Sequence, residues 1–230
     1  MRNALNRTKS TLIHDLKSFL QHSGPSDPTS TVYRGTLFEW QTHEVLEKTL
    51  GMRLRRVGGK SDGGIDLRGT WPLLHKLPSL VGLDKNYPHR ENGIKNRSTP
   101  TITTANIIVQ CKNTKAGCTP DQVRGLVGSA GIFDHLEGKN EGTIAILATS
   151  SSKRYTSDTI SYFMDSNMPL ALARICHIQL DSLLFNPAAE SLLNGLSVTT
   201  QYDAHGHPTP ILMYNGYIID NNSNNENNNL

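Results

Sequence analysis

Residues 142–150, "GTIAILATS", constrain the fold more than any other stretch. Apolar side chains fall on both faces of a strand drawn through them, which suits a strand at the centre of a sheet with both sides covered. The surrounding pattern supplies the cover. "RGTLFEWQTHEVLEKTLG" (34–51) carries Phe38, Gln41, Val45, Leu46 and Leu50 at helical spacing, with Gly51 placed to end the helix. "MRLRRV" (52–57) alternates as a strand, and "GIDL" starts a second strand after a glycine-rich turn. "NIIVQCKN" (106–113) is a third. Thr119, Pro120 and Gln122 read as an N-cap, a first-turn proline and a capping glutamine. They predict a helix to about Leu136, with Val123, Leu126, Val127 and Ala130 turned inward. A helix near 157–167 and a strand over 170–178 complete the series. The predicted class is α/β, a central mixed β-sheet flanked by helices.

The polar residues of the third strand need an explanation. Side chains two apart on a strand share a face, so Gln110 and Lys112 point together while Ile107, Val109 and Cys111 take the other side. Polar groups on an apolar strand are costly when buried without partners. Asp66, lifted onto the neighbouring strand by "GGKSDGG", is the natural partner. A carboxylate, a side-chain carbonyl and an ammonium meeting at a sheet edge suit a magnesium-dependent phosphodiesterase. Oxygen ligands hold Mg²⁺ or Mn²⁺, and the Cys111 backbone carbonyl between the two polar residues offers another. Lysine beside the attacking water orients it and stabilises developing charge.

Five stretches carry a resemblance: "GTLFEWQTHEVLEKTLG", "GGKSDGGIDL", "IIVQCKN", "VRGLVGSAG" and "AILATSS". Together they resemble the PD-(D/E)XK nuclease superfamily, in its Mrr-type restriction-endonuclease branch, where Q-x-K replaces (D/E)-x-K. The likeness covers roughly residues 33 to 182 and includes a hydrophobic-Asp segment at Leu180 and Asp181. It implies a restriction-endonuclease-like core, with Asp66 as metal-binding aspartate, Gln110 as second ligand and Lys112 as catalytic lysine. It also implies a glutamate from the first helix, here Glu39, and a cut leaving a 3′-hydroxyl and a 5′-phosphate. The chain departs from the family in its long stretch between Asp66 and Gln110.

Each residue also has a plainer reading. Thr36-x-x-Glu39 fits a capping box, so Glu39 is either catalytic or a cap. Asp62 shapes the turn, and Lys112 alternatively guards a sheet edge. Arg55, Arg56, Lys60 and Lys115, with Arg53 and Arg68, either contact backbone phosphates or form a solvated strand face. Trp71, His75 and His89 read as packing or loop residues.

Composition bounds the partners. Arg2, Arg7, Lys9 and Lys17 against Asp15 put the whole net charge of +3 in the first 20 residues. Any nucleic-acid footprint is therefore a local patch. That basic, hydroxyl-rich leader resembles a mitochondrial transit peptide; an amphipathic first helix packing on the domain fits equally well. Residues 1–30 are thus expected as leader and linker, 31–215 as the domain with an insertion at about 69–104, and 216–230 as an Asn-rich disordered tail. Three cysteines without framework spacing argue for a reducing compartment and for buried, unbridged thiols. No apolar run approaches the roughly 20 residues of a membrane span. The expectation is a mitochondrial matrix nuclease acting on DNA, with RNA open and a homodimer plausible because cutting both strands needs two sites. The competitors are a non-cleaving nucleic-acid-binding scaffold and an assembly factor without nucleic-acid contact.

Overall fold

A computed structural model describes residues 13–23, 28–57, 63–73, 104–137, 142–206 and 208–218. Six strands form one sheet in chain order: β1 (Arg53–Arg56), β2 (Leu67–Pro72), β3 (Thr104–Lys112), β4 (Thr143–Thr149), β5 (Leu170–Cys176) and β6 (Gln179–Phe185). The first three pair antiparallel, β3–β4 and β4–β5 pair parallel, and β6 returns antiparallel. The mixed α/β architecture is as the sequence predicts, and every residue of β4 is buried.

Helices α1 (Leu16–His22) and α2 (Thr31–Leu50) precede the sheet; α3 (Pro120–Glu137) and α4 (Ser157–Met164) connect its parallel strands. One face of the sheet packs Ile107, Val109, Ile144, Ile146 and Ala171 against Phe38, Val45, Leu46 and Leu50 of α2. The other packs Ile108, Ala145, Leu147, Leu170 and Leu172 against Val123, Leu126 and Ala130 of α3 and Phe163 of α4. Each such aliphatic side chain contributes about 1.5–3 kcal/mol on full burial. Gly69 lets β1 cross β2 closely, since a Cβ there would meet the Arg53 carbonyl oxygen at 1.9 Å.

Several elements differ from expectation. Ser30 caps α2, accepting from Tyr33 N, so the helix begins earlier than its apolar periodicity shows. Within the segment read as leader, residues 16–22 follow the packing-helix reading: Leu16 and Phe19 of α1 pack with Trp40. Of the predicted insertion, residues 69–72 lie in β2, where Trp71 is buried and donates to the Leu50 carbonyl at 2.9 Å. His75 and His89 lie outside the described residues. Beyond the predicted series come α5 (Pro187–Leu193) and a separate three-stranded sheet, β7 (Leu196–Tyr202), β8 (Pro208–Tyr214) and β9 (Tyr217–Ile218). The described structure therefore reaches residue 218, three residues into the segment read as tail, because β9 pairs with β8.

Asn186 ties α5 to β5 and to the end of α4 from a fully buried position. Its Oδ1 accepts from Leu170 N and Ala189 N, and its Nδ2 donates to the carbonyls of Phe163, Ser166 and Met168. Replacing it orphans several buried groups at about 1–3 kcal/mol each. Asn186→Ala is expected to cost about 3–5 kcal/mol in urea denaturation; a loss below about 1 kcal/mol contradicts this role.

Candidate functional site

β2 and β3 stay paired up to Leu67 and Val109, then separate. Asp66 stands at that fork. Its N–H donates to the Val109 carbonyl at 2.9 Å and its own carbonyl accepts from Val57 N at 2.9 Å. It is thus bonded into the ladder one residue before β2 begins. The next inward-pointing donor of β3, the Cys111 N–H, finds no strand opposite; the Asp66 carboxylate takes it instead, Oδ2 to N at 2.7 Å. Such a charge-assisted bond is short and strong. A strand residue directs its N–H and C=O to the same edge, so the Cys111 carbonyl also faces this gap.

Gln110 and Lys112 flank Cys111 in sequence. Gln110 is buried, and its Oε1 has no hydrogen-bond partner among the described residues. Lys112 is half-buried. The glycine turn abuts the Gln110 amide: Gly63 and Gly64 have φ of +62° and +82°, and a Cβ on Gly64 would lie 2.7 Å from Gln110 Nε2. Ser129 on α3 fastens the turn, its hydroxyl hydrogen-bonded to the Gly63 carbonyl and 3.0 Å from that of Gly125. Sequence reasoning missed Ser129 as an individual residue; its signal was the run of small residues in "GSAG".

Glu39 does not cap. It lies within α2, far from the Ser30 cap, and forms an ion pair with Arg56 Nε across to β1. Arg56 therefore serves that pair, whereas Arg55 and Lys115 are exposed. Lys60 and Asp62 lie outside the described residues. Burial raises the Cys111 thiol well above its ordinary range, with Asp66 and then Glu39 pushing the same way, while the Thr42 hydroxyl and Lys112 oppose. These groups are thus within electrostatic reach of Cys111, though its thiol stays protonated. Burial also raises Cys176, and it takes Cys118 to about 11. All three thiols are free; Cys118 is buried as expected, whereas Cys111 and Cys176 are half-buried.

The oxygens fit a hard divalent cation: the Asp66 carboxylate, the Cys111 carbonyl and the partnerless Gln110 Oε1. The set is poor in negative charge. Among the described residues, no group of three or more His, Cys, Asp or Glu side chains is placed to hold a metal.

Two outcomes follow from this geometry. Gly64→Ala is expected to cost about 1–3 kcal/mol by thermal melting, from its left-handed φ and the Gln110 contact; unchanged stability contradicts it. Because their folded pKa values are raised, Cys111, Cys118 and Cys176 favour the native state below the ordinary thiol range. That contribution is lost as pH rises toward about 11, Cys118's value. At pH 8 iodoacetamide should label the native thiols far more slowly than the urea-unfolded ones; equal rates contradict the burial.

The family sequence model described as "Required for respiratory growth protein 7" matches residues 30–207. A Schizosaccharomyces pombe protein, described as uncharacterised and mitochondrial, is 32% identical over 202 residues, covering 85% of this chain and 68% of that one. The Saccharomyces cerevisiae mitochondrial required for respiratory growth protein 7 is 30% identical over 162 residues, 64% of this chain and 66% of that one. Its Vanderwaltozyma polyspora counterpart is 26% identical over 191 residues, 76% of each. No solved structure matches the chain. The match to the family model across most of the domain, with relatives of this identity, places the chain in the required for respiratory growth protein 7 family.

Proposed function

We propose that the chain works in the mitochondrial matrix, in support of respiratory growth, as a divalent-metal-dependent nuclease of the PD-(D/E)XK type. The mitochondrial and respiratory parts rest on the names of its relatives. The observation that carries the chemistry is the Asp66 carboxylate on the Cys111 N–H, between Gln110 with its partnerless Oε1 and Lys112. Among the described residues no helix is long and apolar enough to cross a membrane.

Asp66, Gln110 and the Cys111 carbonyl would hold Mg²⁺ or Mn²⁺. When bound there, the ion neutralises phosphate charge and lowers the pKa of a coordinated water. Lys112 orients the attacking water and stabilises charge building on the phosphoryl oxygens. Water oxygen bonds to phosphorus, the bond from phosphorus to O3′ breaks, and the water proton ends on the 3′-oxygen. The products carry a 3′-hydroxyl and a 5′-phosphate. Exposed Arg55 and Lys115 contact backbone phosphates without reading sequence. The substrate class is DNA, with RNA a second arm of the test, and cutting both strands would engage two copies.

One observation favours a second reading, a non-cleaving nucleic-acid scaffold for genome maintenance. Glu39 is held by Arg56, which leaves a single carboxylate on the Cys111 amide.

Supercoiled plasmid with the full chain in Mg²⁺, Mn²⁺ or EDTA separates the two, with structured RNA in parallel. Asp66→Asn retains an acceptor for the Cys111 N–H, so it tests charge without discarding that bond. The nuclease reading expects metal-dependent nicking slowed at least about a hundredfold in Asp66→Asn and Lys112→Met. Intact substrates with folded proteins, and binding that ignores both metal and Asp66→Asn, instead support the scaffold.

A further inference from the structure

The row that carries Lys112 continues across the sheet. β3, β4 and β5 run parallel, and Lys112 pairs in register with Thr149, which pairs with Arg174. Side chains paired in register share a face, so these three line the C-terminal ends of the parallel strands. The row before them reads Gln110, Leu147 and Leu172, toward the apolar side covered by α3 and α4. Two inter-strand steps separate Arg174 from Lys112 by about 10 Å.

Arg174 is oriented by its neighbours. Its Nη1 donates to Asp181 Oδ2 at 3.3 Å, and its guanidinium carbon lies 5.4 Å from the centre of the Tyr155 ring. Those contacts do not satisfy the cluster. Arg174 Nε is buried with no hydrogen-bond partner among the described residues, and the buried Tyr155 hydroxyl lies against the Thr149 hydroxyl and the guanidinium. The Thr149 hydroxyl and the guanidinium beside the phenol offset only part of the rise that burial gives its pKa. A long single contact to Asp181 leaves most of the guanidinium's donors for another acceptor. The side chain keeps 18% of its surface open, so an oxyanion reaches it from the rim. That rim is cationic. Lys115 is exposed in the loop after β3, and Lys153 and Arg154 are exposed in the loop after β4. The two loops touch, since a Cβ at Gly117 would lie 3.6 Å from Lys153 Cβ.

We propose that Arg174, steadied by Tyr155 and Asp181, is a phosphate-binding residue that holds a nucleic-acid backbone phosphate beside the one Lys112 addresses. Lys115, Lys153 and Arg154 line the approach. This rests on the reading of Lys112 as facing a nucleic-acid phosphate, and it is independent of cleavage. A guanidinium fixed in advance suits the two-oxygen face of a phosphate. Asp181 sets the orientation at the expense of some net charge.

The test uses the full chain and a labelled single-stranded DNA oligonucleotide in EDTA, so that no cleavage occurs, with affinity read by anisotropy across a salt series. Arg174→Gln is expected to weaken binding about tenfold at low salt and to reduce the salt slope by about one. Arg174→Lys should restore the slope and only part of the affinity, because it keeps charge and loses the fork. Tyr155→Phe should lower affinity without changing the slope. Inorganic phosphate should compete more weakly against Arg174→Gln than against the wild type. A folded Arg174→Gln with unchanged affinity and slope overturns the site, as does weakened binding with an unchanged slope, which marks a structural role. Where Arg174→Gln unfolds, Arg174→Lys decides, since loss of slope in that charge-retaining variant also overturns the site. Slope lost in Arg174→Gln while plasmid is never nicked leaves this site standing and removes the cleavage reading alone.

Discussion

The bond from the Cys111 N–H to the Asp66 carboxylate governs the rest of the site. A sheet can separate two strands only if the backbone groups left behind find partners. Here the Asp66 carboxylate takes the Cys111 N–H where β2 leaves β3, so the fork holds a carboxylate on the backbone of β3. The glycine turn makes that placement reachable. Gly63 and Gly64 adopt left-handed conformations, and Ser129 fastens the turn to α3. Sheet, turn and helix thus converge on one carboxylate.

The same geometry sets the electrostatic balance. Asp66 lies close enough to Cys111 to raise its thiol, and Glu39 contributes to the same effect from α2. Glu39 answers first to Arg56, a pairing that fastens α2 to the outermost strand of the sheet. Its negative charge is therefore largely compensated where it stands, and Asp66 is the principal anion of the fork. On the proposed reading, a cation would bind through one carboxylate and neutral oxygens, more weakly than through two carboxylates. The positive charge lies instead along the ends of β3, β4 and β5, where Lys112 and Arg174 share a row.

Much of this was legible in the sequence because it depends on short periodicities. "GTIAILATS" identified the central strand because both its faces are apolar, and parity on β3 put Gln110 and Lys112 together. Asp66 was expected to face Gln110 and Lys112, whereas its carboxylate takes the backbone N–H of Cys111, the residue between them. What stayed hidden depends on distance along the chain. The Glu39–Arg56 pair spans 17 residues, and only the assembled fold shows that it replaces a cap. The start of α2 was masked because Ser30 follows a proline- and serine-rich stretch. The late sheet escaped because β7 is exposed along most of its length and lacks an alternating pattern. Arg174 and Tyr155 meet only through the crossover from β4 to β5.

On the proposed reading, the fork at Asp66 binds a divalent cation through Asp66, Gln110 and the Cys111 backbone. Paramagnetic broadening by Mn²⁺, followed by NMR on the labelled full chain, addresses it without requiring turnover. The Cys111 backbone amide and the Gln110 side-chain amide are expected to broaden first as Mn²⁺ is added, with Mg²⁺ competing and Asp66→Asn abolishing the effect. Broadening confined to other acidic surfaces, or unchanged in Asp66→Asn, contradicts it.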